Sequence, residues 1–258
     1  MQNPSVSVIV TTYNREELLK ETLQSILNQT YTDFELIVVD NFSSYDFFEV
    51  IDGFGDVRIH PFQNANNGII AVNRNFGISK ARGRYLAFCD DDDLWMPEKL
   101  ERQMEIALQN NYDLVSSDFV CFRECNKGES IKKMKEYRRE YEYFIGNRIA
   151  LSSVLLKLND KVFFSEDRQY VAIEDYCLWL KLHLQGFSFH NISTPLIKYR
   201  IGDNYSRNLG ETRLIKTIMC LSSLKLDQSS FKTKYYLFGV FVNFILLMKN
   251  MLLSSSHE

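Results

Sequence analysis

Three times within its first 93 residues the chain runs through apolar residues with little polar alternation and stops at a polar cluster. Val6-Ser7-Val8-Ile9-Val10 leads to Thr11-Thr12-Tyr13-Asn14-Arg15, Phe34-Glu35-Leu36-Ile37-Val38-Val39 leads to Asp40-Asn41, and Tyr85-Leu86-Ala87-Phe88-Cys89 leads to Asp90-Asp91-Asp92-Asp93. A strand wetted on one face alternates; a strand covered on both faces does not, and such strands belong to parallel sheets flanked by helices. The intervening segments have helical periodicity. Leu19, Thr22, Leu23, Ile26 and Leu27 form one stripe, with Asn14 and Glu17 at capping-box spacing before it. Gly68 to Arg82 reads as a helix closed by Gly83. Pro97 suits a first helical position, followed by a stripe of Leu100, Met104, Ala107 and Leu108. Val57–His60, Tyr112–Ser117 and Leu151–Lys157 read as further strands. Glu174-Asp175 opens a last helix, with Leu178, Trp179 and Leu182 apolar and Gly186 as its stop. The prediction is an α/β fold: a Rossmann-like, mostly parallel sheet with helices on both faces. Ligands of such sheets bind beyond the carboxyl ends of the strands, where the three polar clusters converge.

The aspartate run carries the most chemistry. On an extended segment Asp90 and Asp92 would share one side and Asp91 the other. Adjacent carboxylates raise one another's pKa unless a cation lies among them. Hard oxygen donors suit Mg²⁺ or Mn²⁺, which is commonly held by one or two carboxylates together with substrate phosphates. A solvated surface run is the simpler reading, and an aspartyl-phosphate nucleophile is another. An EF-hand is excluded, because Leu94-Trp95-Met96-Pro97 follows where alternating ligands and a glycine are needed.

Composition limits the alternatives. The 258 residues are 45% hydrophobic and 24% charged, ordinary for a globular protein, and a net charge of −3 offers no bulk attraction to nucleic acid. Five cysteines are scattered; Cys121 and Cys125 have no second pair to complete a zinc site, so free thiols in a reducing compartment are expected. Met1-Gln2-Asn3-Pro4 enters the first strand without a signal-peptide pattern. Lys127 to Glu142 is dense in mixed charge and reads as a solvated helix, a loop or an acceptor-side lid. The stretch Tyr235–Leu253 is apolar but interrupted by Asn243, Lys249 and Asn250, a poor spanning helix. With Lys232 and Lys234 before it, it fits a helix lying in a membrane interface or one docked on the protein itself.

In order and spacing, Val8 to Arg15, Leu36 to Ser44, Asn73 to Gly83, Tyr85 to Pro97 and Glu174 to Leu180 resemble the family-2 glycosyltransferases, inverting nucleotide-sugar enzymes of GT-A type. The likeness spans roughly residues 5–205 and leaves the tail uncovered. It implies a nucleotide-sugar-binding half over 1–118, an acceptor-binding and catalytic half of the same domain over 119–210, and a helical tail over 211–258. It further implies that Thr11, Tyr13, Asn14, Arg15, Asp40, Arg74, Asp90 and Asp93 surround the nucleotide sugar. Tyr13 would stack on the base, Asp40 would accept from uracil and Arg74 would lie near the base or diphosphate. Asp92 would hold Mn²⁺ or Mg²⁺, and Asp175 would be the catalytic base with Glu174 beside it. Some members carry a histidine near the metal; Tyr199-Arg200-Ile201-Gly202-Asp203-Asn204 has none, and Arg200 is expected to support the departing diphosphate instead.

The resemblance implies a hexose, glucose or galactose, moved from a UDP-sugar to a polyprenyl-diphosphate-linked N-acetylhexosamine with a β-1,3 linkage, in O-antigen or other surface-polysaccharide assembly. The enzyme would work in the cytoplasm, peripheral to the inner face of the cytoplasmic membrane, with no nucleic-acid partner. A nucleotidyltransferase on a similar fold is the rival enzyme class; it usually has a glycine-rich loop after the first strand, which Thr11-Thr12-Tyr13-Asn14-Arg15 lacks. An inactive nucleotide-sugar-binding module is the non-enzymatic rival.

Overall fold

The computed structural model describes residues 3–122, 140–201, 215–218, 220–221, 237 and 239–246. Among them one sheet of eight strands is formed by β1 (Val6–Thr12), β2 (Phe34–Asp40), β3 (Ile59–Gln63), β4 (Tyr85–Asp90), β5 (Leu94–Trp95), β6 (Leu114–Phe122), β7 (Leu155–Lys157) and β8 (Phe189–Arg200). The helices up to residue 201 are α1 (Glu16–Leu27), α2 (Phe47–Asp52), α3 (Ile70–Lys80), α4 (Lys99–Asn110) and α5 (Glu174–Leu184), among the described residues. The spatial order is β3-β2-β1-β4-β7-β6-β8-β5. Pairs β3–β2, β2–β1, β1–β4 and β6–β8 are parallel; β7 runs antiparallel between β4 and β6, and β5 antiparallel on β8. The sheet is mostly parallel, as its unalternated strands predict.

Every residue of β1 and β2 is buried, and alternate side chains serve opposite layers. Val8 and Val10 pack with Leu19, Leu23, Leu100 and Met104 from α1 and α4. Ile9 faces the other way, with Ala71 of α3 and Leu178, Trp179 and Leu182 of α5. α3 seats directly on β1 at Gly77, where a Cβ would lie 2.7 Å from Ile9 Cγ2, so only glycine permits that approach. Both tryptophans are core residues, Trp95 with the first layer and Trp179 with the second.

Several local expectations change. The third strand sits two residues later than expected, at Ile59–Gln63, in parallel register with β2. Leu151–Ser153 is a 3₁₀ turn, and only Leu155–Lys157 is strand. Asn14 does not cap α1: Arg15 occupies the cap position without a side-chain bond, while Asn14 (φ 53°) spends its Oδ1 on the Ser44 amide at 2.7 Å. The buried stripe of α4 is rotated from the expected one. Lys99 and Gln103 join Leu100, Met104 and Ala107 inside, and Leu108 is exposed. Lys99 Nζ lies 3.8 Å from the centre of the Trp95 ring and donates to Gln103 Oε1 at 2.8 Å.

A third, smaller cluster joins Phe144, Ile173, Tyr176 and Leu180 to Cys220 and Leu221, with Val240 against it. The expectation of free thiols fails here: Cys177 on α5 and Cys220 have Cα atoms 6.2 Å apart and are joined as a disulfide, whereas Cys89 and Cys121 are buried thiols outside it. Helical residues 239–246 dock on the same cluster. Gly239 lies so close to Phe144 that a Cβ would collide with it, and Asn243 donates to Phe144 O at 3.1 Å. Most of the charged segment Lys127–Glu142, Cys125, Gly202-Asp203-Asn204, Lys232, Lys234 and much of the apolar tail lie outside the described residues.

Candidate active site

The aspartates do not continue β4 as an extended run. Asp93 N–H donates to Asp90 C=O at 3.1 Å and closes a turn, so the expected alternation is lost. Asp91 and Asp92 both meet one Arg15 Nη1, at 2.9 Å each, and Asp91 Oδ2 also accepts from Thr12 Oγ1 at 2.8 Å. Asp93 is buried beneath the turn, where Oδ2 accepts from Ser152 Oγ at 2.6 Å and Oδ1 from the Arg200 amide at 2.9 Å. Ser152 Oγ in turn accepts the Asp90 amide at 3.1 Å, so one hydroxyl braces both ends of the turn. Arg200 donates Nε to Asp92 C=O at 2.8 Å and Nη2 to Glu21 at 2.6 Å. It supports the turn from outside.

Crowding raises these carboxyl groups. Burial, then Asp90, pushes Asp92 up to about 6 against the relief from Arg15. Burial raises Asp91, with Thr12 and Arg15 opposing, and burial followed by Asp90 lifts Asp93 well above the carboxylate range. Asp92, the more exposed of the two carboxylates on Arg15, offers hard oxygen donors to solvent. These residues fit a divalent cation bound by one or two carboxylates and completed by a substrate's phosphates. Among the described residues no group of three His, Cys, Asp or Glu side chains forms a protein cage for a metal.

Across the turn stands the start of α5. Arg74, buried on α3, donates Nη2 to Asp90 at 2.8 Å and Nη1 to Glu174 at 2.6 Å. Burial alone would lower its pKa, but Asp90 and Glu174, with Asp175 adding, hold it above its ordinary value. One buried guanidinium thus ties the aspartate turn to the acidic pair. Its contacts are the carboxylates of Asp90 and Glu174. Asp175, partly buried, accepts Asn147 Nδ2 at 2.8 Å and the Tyr176 amide at 2.7 Å. The loop leading to it passes through Ala172 at φ 73°, a conformation unusual for a residue with a Cβ.

The carboxyl ends of β1 and β2 form the other wall. Thr11 is in register with Asp90 on β4, and Thr12 with Asp40 on β2. Asp40 is fully buried and accepts Ser43 Oγ at 2.5 Å, the Ser43 amide at 2.9 Å and Gln63 Nε2 at 3.0 Å. Asn14 closes on the same loop, its amide donating to Ser43 Oγ at 2.8 Å. Tyr13 and Phe42 are left exposed at the ends of these two strands, at 54% and 57%. Thr12, Ser43, Asn147 and Ser152 were not singled out from the sequence. Ser43 had a signal, three residues beyond an aspartate, a spacing that suits a side-chain turn. Ser152 had none, because it reaches Asp93 only through the tertiary placement of β7 beside β4.

The candidate site is thus an open α/β sheet with a carboxylate turn beyond its central strands and a second acidic pair, Glu174-Asp175, tied to that turn through Arg74. The chain belongs to the glycosyl transferase family 2, whose family model matches residues 7–162. It is similar to an uncharacterised glycosyltransferase of Methanocaldococcus jannaschii, 32% identical over 226 residues covering 83% of this chain and 77% of that one. It is also similar to WfgD of Escherichia coli, a UDP-Glc:α-D-GlcNAc-diphosphoundecaprenol β-1,3-glucosyltransferase, 31% identical with 79% and 80% covered. Among solved structures, Staphylococcus aureus TarS in complex with UDP-GlcNAc shares the fold at TM-score 0.68 and 18% identity, covering 87% of this chain and 68% of that one. So does the mannosyltransferase PcManGT of Pyrobaculum calidifontis, solved with GDP-Man and Mn²⁺, at TM-score 0.66 and 17% identity, with 100% and 80% covered.

Proposed function

We propose that this glycosyltransferase moves a hexose, glucose or galactose, from a UDP-sugar to an N-acetylhexosamine carried on a polyprenyl diphosphate, forming a β-1,3 linkage in O-antigen or another surface polysaccharide. The observation that carries the reading is Arg74, which joins Asp90 of the donor-side turn to Glu174, the neighbour of Asp175. That bridge supports a reading in which Asp90 serves the donor and Asp175, next to Glu174, serves the acceptor. WfgD, whose name gives that donor, acceptor and linkage, supports the substrate class.

Tyr13 would stack on uracil, with Asp40 accepting its N–H in place of the Gln63 amide. Thr11, Asn14 and Asp90 line the path from base to sugar, and Asp93 fixes the turn from below. Asp92 would hold the Mn²⁺ or Mg²⁺ whose charge offsets that of the departing diphosphate. Asp175 takes the proton of the acceptor hydroxyl as that oxygen approaches the anomeric carbon opposite UDP, so an α-linked donor yields a β product. General-base assistance of this kind contributes ~10²–10⁴-fold.

Among the described residues no helix is long and apolar enough to cross a membrane. The helical segment 239–246 nevertheless turns Phe241, Phe244, Ile245 and Leu246 outward, with Leu237 just before it, and this apolar face supports peripheral attachment where a lipid-linked acceptor resides.

The test is a panel of UDP-sugars offered with a lipid-diphosphate N-acetylglucosamine acceptor, with and without Mn²⁺. A β-1,3-linked hexose product by NMR supports the reading. Release of UDP without a disaccharide lipid, or an α product, rejects it.

A further inference from the structure

The aspartate turn already contains a cation. Arg15 Nη1 lies 2.9 Å from Asp91 Oδ1 and 2.9 Å from Asp92 Oδ2, and its side chain is half exposed. Its two partners are not equivalent. Asp91 is nearly enclosed and is held by Thr12 Oγ1 at 2.8 Å, whereas the Asp92 side chain keeps 29% of its surface open. Arg15 stands at the entry to α1, where its side chain makes no capping bond. The hydrogen bonds that hold its guanidinium among the described residues are those to the two carboxylates.

A divalent ion and a guanidinium compete for the same carboxylate oxygen and repel each other at short range. We propose that Arg15 is a placeholder for the metal. In the metal-free enzyme it holds Asp92; when the ion arrives, Asp92 passes to the ion and Arg15 keeps Asp91. The exchange breaks one exposed contact and leaves the buried one intact. The added positive charge makes the turn a poor site for the ion alone and a good one for the ion accompanied by a diphosphate. Arg15 is thus a positioning residue that makes metal binding depend on nucleotide, which departs from a direct contact between Arg15 and the sugar nucleotide. The inference rests on the reading of Asp92 as metal ligand.

The experiment titrates the full chain with Mn²⁺, following free Mn²⁺ by electron paramagnetic resonance, with and without saturating UDP. Wild type should bind Mn²⁺ weakly alone and more tightly with UDP. Arg15→Gln should strengthen nucleotide-free Mn²⁺ binding by roughly tenfold, the effect of removing one charge near a divalent ion in a wet site, and should shrink the gain from UDP. Arg15→Lys, which keeps the charge but loses the reach to both carboxylates, should move the same way by less, and carries the test if the glutamine variant does not fold. If wild type binds Mn²⁺ with UDP but both variants match it without UDP, the placeholder role is overturned and the metal reading stands. If the variants lose UDP affinity while their affinity for Mn²⁺ alone is unchanged, Arg15 is a diphosphate ligand and the inference is likewise overturned. If wild type takes no Mn²⁺ even with UDP, the metal reading and the inference fall together.

Discussion

Asp92 and Asp175 differ in what surrounds them, and that difference sets their tests. Asp175 accepts hydrogen bonds from Asn147 and from its neighbour's amide, which hold the carboxylate while its residue stays only partly buried. Asp175→Asn keeps the shape and removes the basicity. Turnover should fall by ~10²–10⁴-fold while UDP affinity, measured by calorimetry, stays within about twofold; unchanged turnover would remove Asp175 from the base role. Asp92 should reveal itself in stability against pH. Its folded pKa is raised to about 6 from an ordinary 3.8, burial being the main cause. Between those values the folded chain binds more protons than the unfolded one, so stability falls as pH rises through the window, and the penalty is complete above about 6. The metal-free Asp92→Asn variant should therefore be more stable than wild type at pH 7.5, by about 1–2 kcal/mol after allowance for solvent screening and the lost Arg15 contact. The gap should close near pH 4. Thermal melts at the two pH values check it, and a constant difference would show that charge at Asp92 carries no such penalty.

The elements show how far local pattern reaches. The parallel strands and the helices between them were legible because burial on both faces leaves unbroken apolar runs, and the polar ends of β1, β2 and β4 do gather along one edge as the candidate site. The phase of α4 was not legible. Lys99 and Gln103 look like solvent residues, yet they turn inward, Lys99 onto the Trp95 ring and Gln103 Nε2 onto the carbonyls of Val115 and Ser153 at 2.8 and 2.7 Å. Nor could a strand pattern anticipate that Asp90 to Asp93 bends back on itself, because that turn is held by Ser152, Thr12 and Arg200 from three distant segments. The 3₁₀ turn Leu151–Ser153 is thus an element of the site: Gln103 holds its Ser153 carbonyl, and Ser152 holds the aspartates. Ser152→Ala removes the donor to Asp93 and the acceptor for the Asp90 amide. It should destabilise the fold by about 1–3 kcal/mol, the cost of leaving buried polar groups unpaired, and lower kcat/KM by roughly tenfold through a loosened turn. Denaturant melts and steady-state kinetics measure the two effects, and a stability loss with full activity would restrict Ser152 to folding.

At the scale of the whole molecule, the site and the apolar surface share a support. The cluster that seats residues 239–246 contains Ile173 and Tyr176, which flank the acidic pair Glu174-Asp175 on either side. A surface bound by the outward face of that segment would therefore hold α5 and its proposed base at a fixed height above it, which suits the proposed acceptor, whose sugar stands on a diphosphate and whose tail lies in lipid. Phe241 and Phe244 are 61% and 53% exposed. Burying a phenylalanine fully is worth about 1.5–3 kcal/mol, so losing two partly buried rings and gaining two charges should weaken attachment by at least about tenfold. The double variant Phe241→Asp, Phe244→Asp should leave vesicles containing anionic lipid, in sedimentation, while wild type stays with them. Turnover on a water-soluble acceptor analogue should be equal for the two proteins, because neither ring belongs to the buried cluster that carries Ile173 and Tyr176. Turnover on a polyprenyl acceptor embedded in vesicles should fall with the binding. Wild type that ignores vesicles but sediments as a dimer, and a variant that sediments as a monomer, would assign this face to a second copy of the chain and remove the membrane from the proposal.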